Sequence, residues 1–239
     1  MSNSYLSVQF ILYHSTLSLL LNRFSSTMIS HPFKFIYSHI PKCAGTTIEV
    51  ALKNHASPSS GNELAKENKW WRNKRLFELY SENPSYFKFS FTRNPFERIV
   101  SAFTFFTNNN ISFKNFVLEI ELFLDHNPQD IFKEVDHNFC FNPSVQKTFM
   151  PLNDALLGYH VLPQNYYISP KFDFIGKVEN LQNDFDQVCE SIGLDKIKLP
   201  NLNQSSHLHY TSYYDLESRN IVENLYQEDL IQFKYNFDA

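Results

Sequence analysis

The segment His39–Thr47 constrains the fold of this chain more than any other part of the sequence. It joins an apolar run that is typical of a strand to an amphipathic run that is typical of a helix. Lys42 and Gly45 lie in the loop, and Thr46 opens the helix. This order places unpaired backbone N–H groups and the positive end of a helix dipole at one point. The pattern therefore predicts a cradle for a phosphate or sulfate group.

The residue types in this loop suit an anion. Gly45 permits close approach of the backbone, Thr46 and Thr47 add hydroxyl donors, and Lys42 supplies a mobile positive charge. The lysine precedes the only glycine of the loop, whereas in nucleoside triphosphatases it follows the second glycine. The loop thus indicates an anionic nucleotide without predicting phosphoryl transfer.

A second strand–loop–helix pattern occurs at 90–103. Pro95 is suited to the first turn of the helix, and apolar residues follow it at helical spacing. Arg93 is expected at the carboxyl end of the strand and Ser101 further along the helix, a pair that suits a terminal phosphate monoester. Arg98 is equally consistent with an ion pair on the helix surface, and it is not assigned to the site.

Together the two motifs resemble the 5′-phosphosulfate and 3′-phosphate elements of sulfotransferases that use 3′-phosphoadenosine-5′-phosphosulfate. The resemblance is to the carbohydrate sulfotransferases (the Sulfotransferase family 2 group) and their short bacterial relatives, and it spans about 33–237. Blocks of that family follow in the same order at 160–164, 172–181, 202–206 and 213–214. The chain departs from the family at Cys43, where small or apolar residues are common, and it lacks a basic residue beside Asn203.

The resemblance implies an α/β, P-loop-like three-layer fold with a central parallel sheet flanked by helices. It also implies transfer of a sulfuryl group to a hydroxyl, with a saccharide as the expected acceptor and no metal. Lys42 would stabilise the charge on the bridging oxygen as the sulfuryl group leaves. The residues that it assigns to the donor nucleotide are Pro41, Lys42, Cys43, Ala44, Gly45, Thr46, Thr47, Arg93, Ser101 and Asn203.

Transfer to a hydroxyl needs a base, and histidine is the usual choice near neutral pH. His160 is the first candidate, because it lies in a family block and in an irregular region that could close over the pocket. A structural role, such as capping a buried carbonyl, is the alternative. His55, just past the first helix, is the second candidate, and His39 is expected to be a packed or hydrogen-bonded strand residue.

An acceptor platform is one interpretation of the basic run at 66–75, which contains Trp70 and Trp71. The alternative is structural. Because adjacent helical residues point apart, one ring could lie in the core and the other at its rim.

Composition limits the partners and the compartment. The net charge of −4 argues against non-specific binding of nucleic acid and weighs against a long sulfated polyanion as acceptor. The chain has 3 cysteines without metal-ligand spacing, which indicates a reducing compartment and a cytoplasmic protein. The apolar stretch 5–21 is short and interrupted for a membrane span and lacks the features of a secretory signal, so membrane association is not expected.

The domain is expected to span 28–239. Residues 1–27 are predicted to be a poorly ordered or non-native extension, with a helix packed on the domain as the alternative. Helices are predicted at 62–80, 96–107, 112–124, 180–192 and 213–226, and strands at 33–38, 86–92 and 172–178.

Two other functions are open at this point. A nucleotide or small-molecule kinase would need a carboxylate that holds Mg²⁺ and a lysine after the glycine, and neither is in place. A non-catalytic nucleotide-binding relative is the other alternative, although Lys42 and Arg93 speak against it.

Overall fold

The computed structural model describes residues 26–55, 76–107, 111–125, 158, 160–168, 171–202 and 208–238. In this part of the chain the strands are β1 (Ser26–Ser30), β2 (Phe35–His39), β3 (Phe87–Thr92) and β4 (Phe174–Lys177). The helices are α1 (Gly45–Leu52), α2 (Leu76–Glu82), α3 (Pro95–Phe106), α4 (Phe113–Asp125), α5 (Leu181–Ser191), α6 (Leu216–Leu225) and α7 (Gln227–Phe233). Short 3₁₀ turns occur at Gln164–Tyr167, Val178–Asn180 and Tyr210–Tyr213.

The strands form one mixed sheet in the order β1-β2-β3-β4. Strands β2, β3 and β4 are parallel, with Phe35 opposite Phe87 and Phe89 opposite Phe174. Strand β1 pairs antiparallel with β2. Because parallel strands end at the same edge, the loops that follow β2 and β3 are neighbours, as both sequence motifs require.

Helices cover both faces of the sheet. On one face, rings of β2 and β3 such as Phe35 and Phe89 pack against α1 and α5. On the other face, Ile36 packs with Leu79 and Tyr80 of α2. A third apolar cluster joins α3, α4 and α6. The predicted three-layer α/β architecture is therefore confirmed, with an antiparallel edge strand added.

Helix α3 begins one residue earlier than the sequence predicted. Asn94 precedes it and accepts a hydrogen bond from Phe96 N (3.1 Å), and Pro95 occupies the first turn. This is the arrangement that the proline indicated.

The predicted helix at 213–226 corresponds to α6, which begins three residues later and ends one residue earlier, and α7 follows it as a separate helix. Of the predicted helix at 62–80, only the end lies within the described residues. Strand β1 begins at Ser26, two residues before the expected domain boundary. Within the described residues, every helix is too short to cross a membrane.

Candidate active site

The loop between β2 and α1 has an unusual backbone. Lys42 (φ 66°) and Ala44 (φ 58°) both adopt the left-handed conformation, on either side of Cys43. Such alternation turns successive N–H groups toward one side and forms an anion-binding concavity. The first bond of α1 runs from Ile48 N to Ala44 O (3.2 Å), and no side chain caps the helix. The preceding N–H groups, those of residues 45–47, therefore have no carbonyl within the helix.

Two arginine side chains donate hydrogen bonds to backbone carbonyls of this loop. Arg98 Nε donates to Pro41 O (2.9 Å), and an Arg93 terminal nitrogen donates to Lys42 O (3.4 Å). These bonds occupy the carbonyls of Pro41 and Lys42, and the guanidinium groups add positive charge next to the loop.

The side chain of Lys42 reaches from the loop to the last turn of α3. Its Nζ lies 3.8 Å from the centroid of the Phe105 ring. Burial, together with the nearby charges of Arg93 and Arg98, lowers the pKa of Lys42 to about 7. A bound anion would oppose these effects and favour the charged ammonium.

Gly45 is required here for a reason that the sequence did not reveal. A Cβ on Gly45 would lie 2.0 Å from Nε2 of His39. Nδ1 of the same imidazole donates to Glu49 Oε1 (2.7 Å), so the ring is fixed against the first turn of α1. The glycine thus makes room for His39, in addition to the close approach of an anion that its sequence context predicts. The expectation that His39 is a packed, hydrogen-bonded strand residue agrees with these contacts.

Arg93 lies at the end of β3, as the sequence predicted. One terminal nitrogen pairs with Glu97 Oε1 (2.8 Å), and the other contacts Lys42 O. Its Nε is buried and has no hydrogen-bond partner among the described residues. Ser101, which is 8% exposed, lies one turn after Glu97 on the same face of α3. An unpaired buried donor beside the loop is consistent with an anionic ligand.

His160 and Lys42 contact the same aromatic ring, that of Phe105. Its imidazole stacks on Phe105 (centroids 6.3 Å apart) and meets the edge of Phe106 (5.1 Å). His55 is remote, since it lies 10 residues beyond Gly45, past the opposite end of α1, on the order of 15 Å away. Of the two candidate bases, only His160 contacts a residue, Phe105, that Lys42 also contacts.

Three buried polar residues at this site were missed by sequence reasoning. Arg98 is fully buried and donates to carbonyls of Pro41, Leu162 and His160, which overturns its interpretation as a surface ion pair. The others are Gln164 and Asp229, both fully buried. Gln164 was inside a recognised block, but no local pattern signalled its partners.

Several expected contributors lie outside the described residues. They are Asn203, Trp70 and Trp71.

The described residues thus form a cationic cradle with N–H donors, an adjacent arginine loop, and a histidine that reaches the same ring as the lysine. This arrangement can bind two anionic groups on neighbouring strands and can hold a proton acceptor nearby.

Comparison with known proteins adds a family assignment. A family model described as "Sulfotransferase family" matches residues 25–236. A crystal structure of a sulfotransferase from Alicyclobacillus acidocaldarius is similar at 15% identity and a TM-score of 0.30, over 67% of this chain and 62% of that one. The chain therefore spans less than two thirds of that protein. No curated protein matches.

Proposed function

The chain belongs to the sulfotransferase family, and we propose that it transfers a sulfuryl group from 3′-phosphoadenosine-5′-phosphosulfate to a hydroxyl, with a saccharide as the acceptor. The observation that carries this proposal is the pairing of the cradle around Lys42 with the Arg93 loop on the next parallel strand. Two anion sites on adjacent strands suit a nucleotide that bears anionic groups at both its 5′ and 3′ positions.

The cradle would hold the 5′-phosphosulfate. The N–H groups of residues 45–47 and the hydroxyls of Thr46 and Thr47 would bind its oxygens. The residues that the resemblance assigns to the same loop, Pro41, Cys43 and Ala44, would shape the cradle through their backbone. Arg93 and Ser101 would bind the 3′-phosphate, which would satisfy the buried Nε of Arg93.

Lys42 would act during bond cleavage. As the acceptor oxygen bonds to sulfur, the bond between sulfur and the bridging oxygen breaks, and its electron pair stays on the 5′-phosphate. The ammonium of Lys42 would stabilise this charge. No proton transfer by the lysine is needed, so its charged form is the active one.

His160 would take the proton of the acceptor hydroxyl. This role is supported by the contact of His160 with Phe105, whose ring also contacts Nζ of Lys42. The acceptor would then enter between the segment around His160 and the loop.

The compartment and partners follow the same proposal. We place the protein in the cytoplasm, where the free, buried thiols of Cys43 and Cys189 would stay reduced. No metal is needed, because positioning and charge stabilisation account for the chemistry.

Calorimetry with the product nucleotide, adenosine 3′,5′-bisphosphate, tests the donor. We expect clear binding of the bisphosphate and weak binding of ATP, because ATP lacks a 3′-phosphate. Equal affinities would contradict the assignment and would favour a kinase.

Incubation with ³⁵S-labelled donor tests the reaction. A panel of saccharides, lipids and small alcohols is offered, and label is expected on a saccharide. If only a lipid or a small alcohol is labelled, the saccharide acceptor is wrong, but the proposed sulfuryl transfer still stands.

A further inference from the structure

The carboxamide of Gln164 contacts both anion-binding loops at once. Its Oε1 accepts hydrogen bonds from Arg93 N (2.9 Å) and from Cys43 Sγ (3.2 Å). Its Nε2 donates to Arg93 O (2.9 Å). The side chain therefore binds both backbone groups of Arg93 and, on the other side, the residue next to Lys42.

Gln164 is itself held in place. Asp229 accepts from the backbone N–H of Gln164 (2.6 Å) and of Asn165 (2.8 Å), and it is fully buried. Just before this segment, Arg98 bonds to His160 O (3.0 Å) and Leu162 O (2.8 Å). Because the backbone on both sides of Gln164 is fixed by hydrogen bonds, its side chain can hold its own hydrogen-bond partners at fixed positions.

We propose that Gln164 is a positioning residue that fixes the separation of the two anion-binding loops and thereby the preference for a nucleotide carrying both a 3′- and a 5′-phosphate. This rests on the proposed function, which assigns one phosphate to each loop.

The physical reason is geometric. The ribose sets the distance between the two phosphates, so both are bound well only at one separation of the loops. Hydrogen bonds lose strength steeply with misalignment. A nucleotide with only a 5′-phosphate uses one loop and is insensitive to the separation. Loss of the hydrogen bonds of Gln164 should therefore lower the affinity for the bisphosphate more than the affinity for the 5′-phosphate.

Cys43 forms the other end of this bridge. Burial raises the pKa of its thiol to about 12, so the thiol keeps its proton and donates to Gln164. The thiol is thus a hydrogen-bond donor between the loops. Serine can replace this donor, whereas alanine cannot.

The test compares affinities for adenosine 3′,5′-bisphosphate and adenosine 5′-phosphate by calorimetry. Gln164→Met keeps the volume and removes the polar bridge. We expect the ratio of the two affinities to fall at least tenfold, while the affinity for the 5′-phosphate changes less than threefold. Gln182→Met is the matched control, since Gln182 is an exposed hydrogen-bonded glutamine of α5 and should leave the ratio unchanged.

An equal loss for both ligands, or an unchanged ratio, would overturn the positioning role. If Gln164→Met does not fold, the cysteine pair decides: Cys43→Ala should lower the ratio and Cys43→Ser should restore it. Equal ratios in these two variants would then reject the proposal. A wild type without preference for the bisphosphate would instead reject the proposed function.

Discussion

At the scale of single residues, Lys42 carries costs that folding alone does not explain. A left-handed backbone costs a non-glycine residue about 1–2 kcal/mol. Its ammonium is also desolvated and lies near two guanidinium groups, which lowers its pKa. Strain and unfavourable charge that persist together are typical of functional positions.

Lys42→Met should therefore stabilise the protein in a pH-dependent way. The pKa of Lys42 is about 7 in the folded state and near 10.5 when unfolded. Below pH 7 both states are protonated and the cost is complete. From pH 7 to 10.5 the unfolded state binds more protons, so the wild type gains stability. We expect the variant's advantage in Tm to be largest at pH 6 and to shrink by pH 10. Lys53→Met, at an exposed position, is the control, and an advantage independent of pH would contradict the argument.

The same variant should be impaired in turnover. If the ammonium acts mainly as the sulfur–oxygen bond breaks, Lys42→Met should cut kcat on the order of a hundredfold or more. The affinity for the bisphosphate product should fall much less. Single-turnover rates and calorimetry measure the two effects, and proportional losses in both would place Lys42 in nucleotide binding only.

His160→Ala should lower turnover and leave bisphosphate affinity unchanged, because the proposed mechanism assigns the imidazole to the acceptor and not to the nucleotide. With the donor saturating, so that the bound anion keeps Lys42 charged, the wild-type rate should rise with pH as a histidine loses its proton, and the variant should lose that rise. His55→Ala, at the far end of α1, is expected to keep a normal rate. A near-normal rate in His160→Ala, with the pH dependence intact, would remove this residue from the mechanism.

At the scale of elements, the first turn of α1 depends on the fit of His39 against Gly45. Helix propensity alone predicts that Gly45→Ala stabilises α1 by up to about 1 kcal/mol. The new Cβ would lie 2.0 Å from the imidazole, however, which outweighs that gain. The ring must leave Glu49 or the first turn must shift, and a shift of the turn moves the N–H groups of the cradle.

We expect Gly45→Ala to lower the affinity for the bisphosphate at least tenfold, as measured by calorimetry. Removing the ring as well, in His39→Ala/Gly45→Ala, should restore part of that affinity, because the clash is gone. The two changes would then be non-additive. A double variant as weak as Gly45→Ala would show that the clash is not the cause.

Elements with a clear apolar period could be predicted from the sequence, whereas long-range polar contacts could not. Helix α3 was placed within one residue because Pro95 and the apolar spacing are local signals. The burial of Arg98 depends on carbonyls 57 to 64 residues away. Gln164 depends on Cys43, which is 121 residues away. No local pattern encodes such partners, so the two strand–loop–helix segments were placed from local signals and the buried residues that support them were missed.

At the scale of the whole molecule, strand β1 closes one edge of the sheet beside the site. Its pairing places Ser26 opposite His39, the residue that fits against Gly45. Met28 and Ile29 are both buried. Burial of two such side chains is worth about 3–6 kcal/mol, a large part of the stability of an ordinary domain. The edge strand therefore links the start of the domain to the cradle.

Two truncations distinguish the contribution of β1 to stability from that of the residues before it. Deleting 1–25 keeps the whole of β1 and removes only one residue of the family match, which begins at residue 25. This deletion should leave Tm within a few degrees and bisphosphate affinity unchanged. Deleting 1–30 removes β1, exposes the edge of β2 and should lower Tm sharply or abolish soluble expression. Thermal melts and calorimetry measure both. If the shorter deletion is as damaging as the longer one, residues before Ser26 belong to the folded domain, and its boundary must be moved toward the N-terminus.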